Sequence, residues 1–102
     1  MKIISQIVDF IDDELEGAEN YAECAIKYKS EHPKLAAKLN ELAGEGMEHF
    51  RILHGEVTRL IEDYRSKNGE PPKEMLAIYN YEHKKQIGKA SIIKQMIEMF
   101  EK

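Results

Sequence analysis

The chain has only one cysteine, Cys24, so no intrachain disulfide can form. That usage fits a reduced, intracellular setting. Proline is scarce and confined to Pro33, Pro71 and Pro72, which leaves long stretches free to be helical. No run of eighteen apolar residues occurs, so no membrane-spanning helix is expected. Near the start, one lysine is followed by an apolar run broken at Gln6 and Asp9, which is not the pattern of a signal peptide. The expected location is cytoplasmic. A basic excess is also lacking: 15 Lys and Arg face 19 Asp and Glu, a net charge of -4, so no overall field favours nucleic acid. The locally basic stretch with Lys84, Lys85, Lys89 and Lys94 reads as a solvated helix face. There is no β-type alternation, no low-complexity segment, no glycine-rich phosphate loop and no nucleophile elbow.

What is present is helical patterning. Hydrophobic residues make up 42% and charged residues 33%, a balance that suits long amphipathic helices. The 102 residues read as a single helical domain, 1–102, of the all-α class. Helices are predicted over about 2–30, 33–67 and 72–101. Pro33 fits the first turn of the second, where its missing N–H is harmless. Asn68-Gly69 stops that helix, because both residues tolerate a left-handed backbone. Pro71-Pro72 restart the chain. The third helix carries the stripe Met75/Leu76, Tyr79, Glu82/His83, Gln86/Ile87, Ala90, Ile93, Met96/Ile97 and Phe100, apolar only in its second half.

Two polar residues interrupt otherwise apolar seams. Spaced 4-3-4-3, the first helix reads Ile4, Ile7, Ile11, Glu14, Ala18, Tyr21, Ala25, Tyr28. The second reads Leu35, Leu39, Leu42, Gly46, His49, Leu53, Val57, Leu60, Tyr64. With a turn near 30–33, Glu14 and His49 are equally far from it, and an antiparallel hairpin brings them face to face inside the core. An ionised carboxylate there needs a proton, a hydrogen bond or a cation. The pair is therefore either the start of a metal site or a buried hydrogen-bonded contact. Tyr21, two turns on, can orient the carboxylate, and Glu45 and Glu48 lie beside His49.

The segments Glu14-Leu15-Glu16-Gly17-Ala18-Glu19-Asn20-Tyr21 and Glu45-Gly46-Met47-Glu48-His49-Phe50 resemble the first two helices of ferritin-like di-iron carboxylate proteins. In size the chain is similar to the small encapsulated-ferritin-like members of that superfamily. The resemblance implies a ferritin-like antiparallel hairpin plus a third long helix, with a four-helix-type bundle completed by homo-oligomerisation. It also implies metal ligands at Glu14 and His49, with iron as the metal and manganese or zinc as alternatives. Gly46 stands where the family has a bridging Glu three residues before the His. Glu45, one residue away and rotated by about 100°, is the candidate replacement. Any activity implied is at most ferroxidase-like or oxygen-reactive, and a reduced metal-binding role without turnover fits the missing Glu better. A metal-free scaffold for protein association, docking a partner or another copy through the third helix, is the alternative function.

A second constellation groups His54 with Glu82, His83 and Gln86, which antiparallel packing of the second and third helices puts at one level. It reads as an edge polar network, with a secondary metal site as the sharper alternative. Gly46 is also expected to admit a close approach of another helix or group, and with Ala18 could make room for a small apolar ligand.

Overall fold

A computed structural model describes residues 2–102 as three helices, α1 (Lys2–Tyr28), α2 (Pro33–Asn68) and α3 (Lys73–Glu101). Among the described residues there is no strand. At 36 residues, α2 has a length of about 54 Å at 1.5 Å per residue. It therefore sets the 55 × 19 × 18 Å dimensions of the rod. No helix among the described residues is long and apolar enough to cross a membrane.

The breaks are where the local chemistry puts them. Pro33 occupies the first turn of α2. The turn before it is closed by the His32 N–H donating to the Tyr28 carbonyl at 2.8 Å. Gly69 ends α2 with φ 80°, a value that side chains disfavour. Its N–H donates to the Arg65 carbonyl at 3.0 Å and satisfies one of the last orphan acceptors. Pro71 and Pro72 then set the direction from which α3 starts.

α1 and α2 are antiparallel. Ala18 lies against Gly46 and Glu14 beside His49. α3 runs parallel to α1 and antiparallel to α2. Gln86 reaches α1 at Val8 and Asp12, Lys89 pairs with Glu19 at 3.4 Å, and the Lys29 ammonium meets the Phe100 carbonyl. The Gln86 amide is the most specific of these ties. It is 3% exposed and donates to the Val8 carbonyl at 3.2 Å and to Asp12 Oδ1 at 2.9 Å.

The core differs from the predicted seam by one residue's rotation. α1 buries Ile4, Val8, Ile11, Leu15, Ala18, Ala22 and Ala25. Val8, Leu15 and Ala22 thus take the places expected of Ile7, Glu14 and Tyr21. Ile7 and Glu14 are half-buried at the edge, and Tyr21 is exposed. α2 buries Ala36, Asn40, Ala43, Gly46, Phe50, Val57 and Ile61, leaving Leu35, Leu42 and His49 outside. Two terms favour this choice. Turning Leu15 inward spares the desolvation of the Glu14 carboxylate. The small residues Ala18, Ala22, Ala43 and Gly46 also let the two backbones close on each other.

That closeness is measurable at Gly46. A Cβ built there lies 2.9 Å from the Cβ of Ala18 and 3.6 Å from the Glu14 carbonyl oxygen. The expected close approach therefore exists, with α1 as the approaching element. That contact leaves no space directly between Ala18 and Gly46, while both residues line an open groove beside it.

Candidate functional site

The turn at 29–32 brings Glu14 and His49 to one level, as the sequence pattern requires. Glu14 Oε2 and His49 Nδ1 are 3.2 Å apart. They do not meet inside the core. The His49 side chain is 58% exposed and that of Glu14 35%, so the pair sits on the rim of the hairpin. The cause is the rotation described above: Leu15 and Phe50 occupy the interior at this level.

The pair lies in an open groove of about 310 Å³ along the outer side of the α1–α2 hairpin. Asp13, Gly17, Tyr21, Leu42, Glu45 and Gly46 also line it. Every lining residue comes from α1 or α2, so α3 contributes no ligand to this groove. Tyr21 and Leu42 are 41% and 40% exposed on its flanks, and Leu35 extends the apolar strip at 53%. Glu45 faces the same groove as Glu14 and His49. Glu48 does not. It is drawn along the helix surface by Arg51, whose Nε donates to Glu48 Oε2 at 3.2 Å.

A carboxylate and an imidazole at this separation can share a proton or converge on a cation. Among the described residues there is no group of three or more His, Cys, Asp or Glu side chains placed to hold a metal ion. The oxygen and nitrogen donors are those that suit iron, manganese or zinc. Asp13, Glu14, Glu45 and His49 all line the groove, so what one chain lacks is convergence of donors, not donor type.

The second constellation is only partly assembled. His54 Nε2 and His83 Nδ1 lie 3.1 Å apart, across the α2–α3 contact. Their rings are stacked, with centroids 4.5 Å apart and planes 28° from parallel. Tyr79 stacks on His83 at 5.7 Å, and Phe50 tilts against His54 at 6.0 Å. Burial, and then the charge of His83, push the His54 pKa below its ordinary value. Burial raises that of the Tyr79 phenol.

Glu82 and Gln86, expected beside His54, belong elsewhere. Glu82 lines a cleft between α1 and α3, with Asp9 and Asp12 opposite, and lies 3.8 Å from Lys85. Gln86 is committed to α1. One turn of α3 separates residues 82 and 86, and both fall on its α1-facing side, whereas His83 faces α2 and Tyr79 lies between the two. The bond between Gln86 and Asp12 was not foreseen. The only sequence signal for it was a glutamine flanking an apolar stripe.

No protein-family model matches this chain, and neither a curated protein nor a solved structure matches it.

Proposed function

We propose that the chain is a ferritin-like metal-binding protein whose site is completed by a second copy. Two α1–α2 hairpins would pack groove to groove into a four-helix arrangement. Glu14 and His49 of each copy would then offer two carboxylates and two imidazoles to one transition-metal ion, with Glu45 at the margin. Iron is the metal that the ferritin-like resemblance implies, and the same donors also suit manganese and zinc.

The observation that carries the reading is the Glu14–His49 contact of 3.2 Å on a hairpin face that α3 leaves uncovered. The apolar flanks support it. Tyr21, Leu35 and Leu42 are large side chains exposed along the same strip, and covering them removes apolar surface from water. Binding or storage of the ion is the proposed role, with oxygen-reactive chemistry at most a weak accompaniment. Glu14 and His49 would hold and orient the ion. The Tyr21 hydroxyl, on the same groove, would donate to a carboxylate oxygen.

The same apolar strip also supports association without metal. The test separates the two readings. Protein purified without chelator is loaded anaerobically with Fe(II), and metal content and molar mass are measured for the wild type and for a Glu14→Ala, His49→Ala double variant. One ion per pair of chains, lost in the variant, supports the shared site. A dimer that persists in chelator and in the variant, with no retained metal, selects the association module.

A further inference from the structure

The Glu14–His49 groove does not involve α3, yet His83 of α3 meets His54 of α2 in a pair of imidazoles. We infer that His54 and His83 form a two-histidine site for a borderline divalent cation, Zn²⁺ in particular, which clamps the N-terminal half of α3 to α2. This site shares no residue with the Glu14–His49 pair and does not depend on a second copy.

The geometry comes first. The two facing nitrogens are 3.1 Å apart. With Zn–N bonds of about 2.0–2.1 Å, that separation corresponds to an N–Zn–N angle of about 95–102°. This lies between octahedral and tetrahedral cis positions. The donors come from different helices, so one ion bridges two elements. Water fills the remaining positions, and both histidines are half-buried rather than sealed, which leaves them reachable from solvent.

The chemistry is balanced without an added reagent. In the ion-free contact one neutral imidazole donates its N–H to the other. For both facing nitrogens to bind a cation, the donor ring shifts its proton to its other nitrogen. No net proton is released, and each ring keeps one N–H for solvent or protein. Tyr79 and Phe50 flank the rings and limit the rotation that would separate the two donors. Imidazole pairs suit zinc, copper and nickel ahead of the harder cations.

The location gives the clamp something to do. The fully buried residues of α3 are Gln86, Ala90 and Ile93, from its midpoint onward. In its first half, Leu76, Tyr79 and His83 are half-buried, while Ile78 and Tyr81 are exposed at 66% and 63%. This half of α3 is thus held by little apolar burial, and a ligand that ties it to α2 stabilises the docked position by mass action.

The test uses the full chain in the Glu14→Ala, His49→Ala background, so that the proposed shared site cannot contribute. Zn²⁺ is titrated by calorimetry, and amide hydrogen exchange is followed over residues 73–85. A His83→Asn variant keeps a hydrogen-bond partner for His54 while removing one imidazole donor. The expected result is one Zn²⁺ per chain with slower exchange over 73–85. In His83→Asn, and likewise in His54→Asn, affinity falls by about tenfold or more and the exchange effect disappears. Zn²⁺ binding of equal strength in those variants, or no binding in the parent background, overturns the proposal and leaves a simple hydrogen-bonded pair. Wild-type chain carries the same comparison if the double-alanine background folds poorly, since loss of His83 then removes only one class of site.

Discussion

Replacing Gly46 by alanine tests the helix contact on which the whole hairpin rests. Two effects oppose each other. Alanine is a better helix former than glycine by about 1 kcal/mol in a helix interior. Its Cβ, however, would sit 2.9 Å from the Cβ of Ala18. Carbon atoms pack best at about 3.5–4.0 Å, so the helices must part by several tenths of an ångström or more. The opposing atom is itself a Cβ fixed to backbone, not the end of a flexible side chain. Overpacking of this kind costs about 1–3 kcal/mol.

Gly55 supplies the internal control. It lies in the same helix with nothing within 4 Å of a built Cβ. Gly55→Ala should therefore raise stability by up to about 1 kcal/mol. The propensity gain is common to both substitutions, so the difference between them isolates the steric term, about 1–3 kcal/mol. At about 4–8 °C per kcal/mol for a domain of this size, the two melting temperatures should differ by at least several degrees. Both proteins are melted at one fixed concentration, because any self-association makes the midpoint concentration-dependent. Combining Gly46→Ala with Ala18→Gly should restore much of the loss, since the clash needs both methyl groups. If Gly46→Ala stabilises the protein as much as Gly55→Ala, the close approach of α1 to α2 is wrong.

Further outcomes follow from other contacts. Gln86→Leu keeps apolar volume but loses both bonds to α1, and urea unfolding should show a loss of about 1–2 kcal/mol. An unchanged midpoint would mean that α3 is held by its apolar residues alone. The His54 pKa is lowered in the folded chain, so the unfolded chain binds the proton more readily. In chelator-treated buffer, stability from this group is complete above its ordinary value of about 6.5 and falls as pH drops below it, levelling off beneath the folded pKa. His54→Gln should flatten that part of a pH–stability profile; an identical slope in the variant would assign it to other groups. Leu42→Glu places a charge on the uncovered hairpin face. It should reduce any self-association measured by sedimentation while leaving helix content by circular dichroism unchanged, and undiminished association would move the contact to another face.

Much of this architecture is written locally. Pro33, Gly69 and Pro71-Pro72 mark the breaks by backbone chemistry that needs no tertiary partner. The levels at which residues meet were also legible, because distance from a turn fixes height along antiparallel helices. That counting put Glu14 level with His49, and His54 level with Glu82, His83 and Gln86; the Glu14–His49 and His54–His83 contacts are present at 3.2 and 3.1 Å, whereas Glu82 and Gln86 turn toward α1.

Rotation about each helix axis was not legible. α1 carries two neighbouring stripes, one through Ile7, Glu14 and Tyr21 and one through Val8, Leu15 and Ala22, about 100° apart. Both share Ile4, Ile11, Ala18 and Ala25, so periodicity alone does not choose between them. Packing chose the second stripe, because it spares the Glu14 carboxylate from desolvation and sets small residues where α1 meets Gly46. The same kind of choice sent Gln86 to Asp12 on α1 and left His83 alone with His54. The sequence by itself determined which residues are helical and which share a level. Only the three-helix packing decided which of them face inward, since burial depends on what stands opposite.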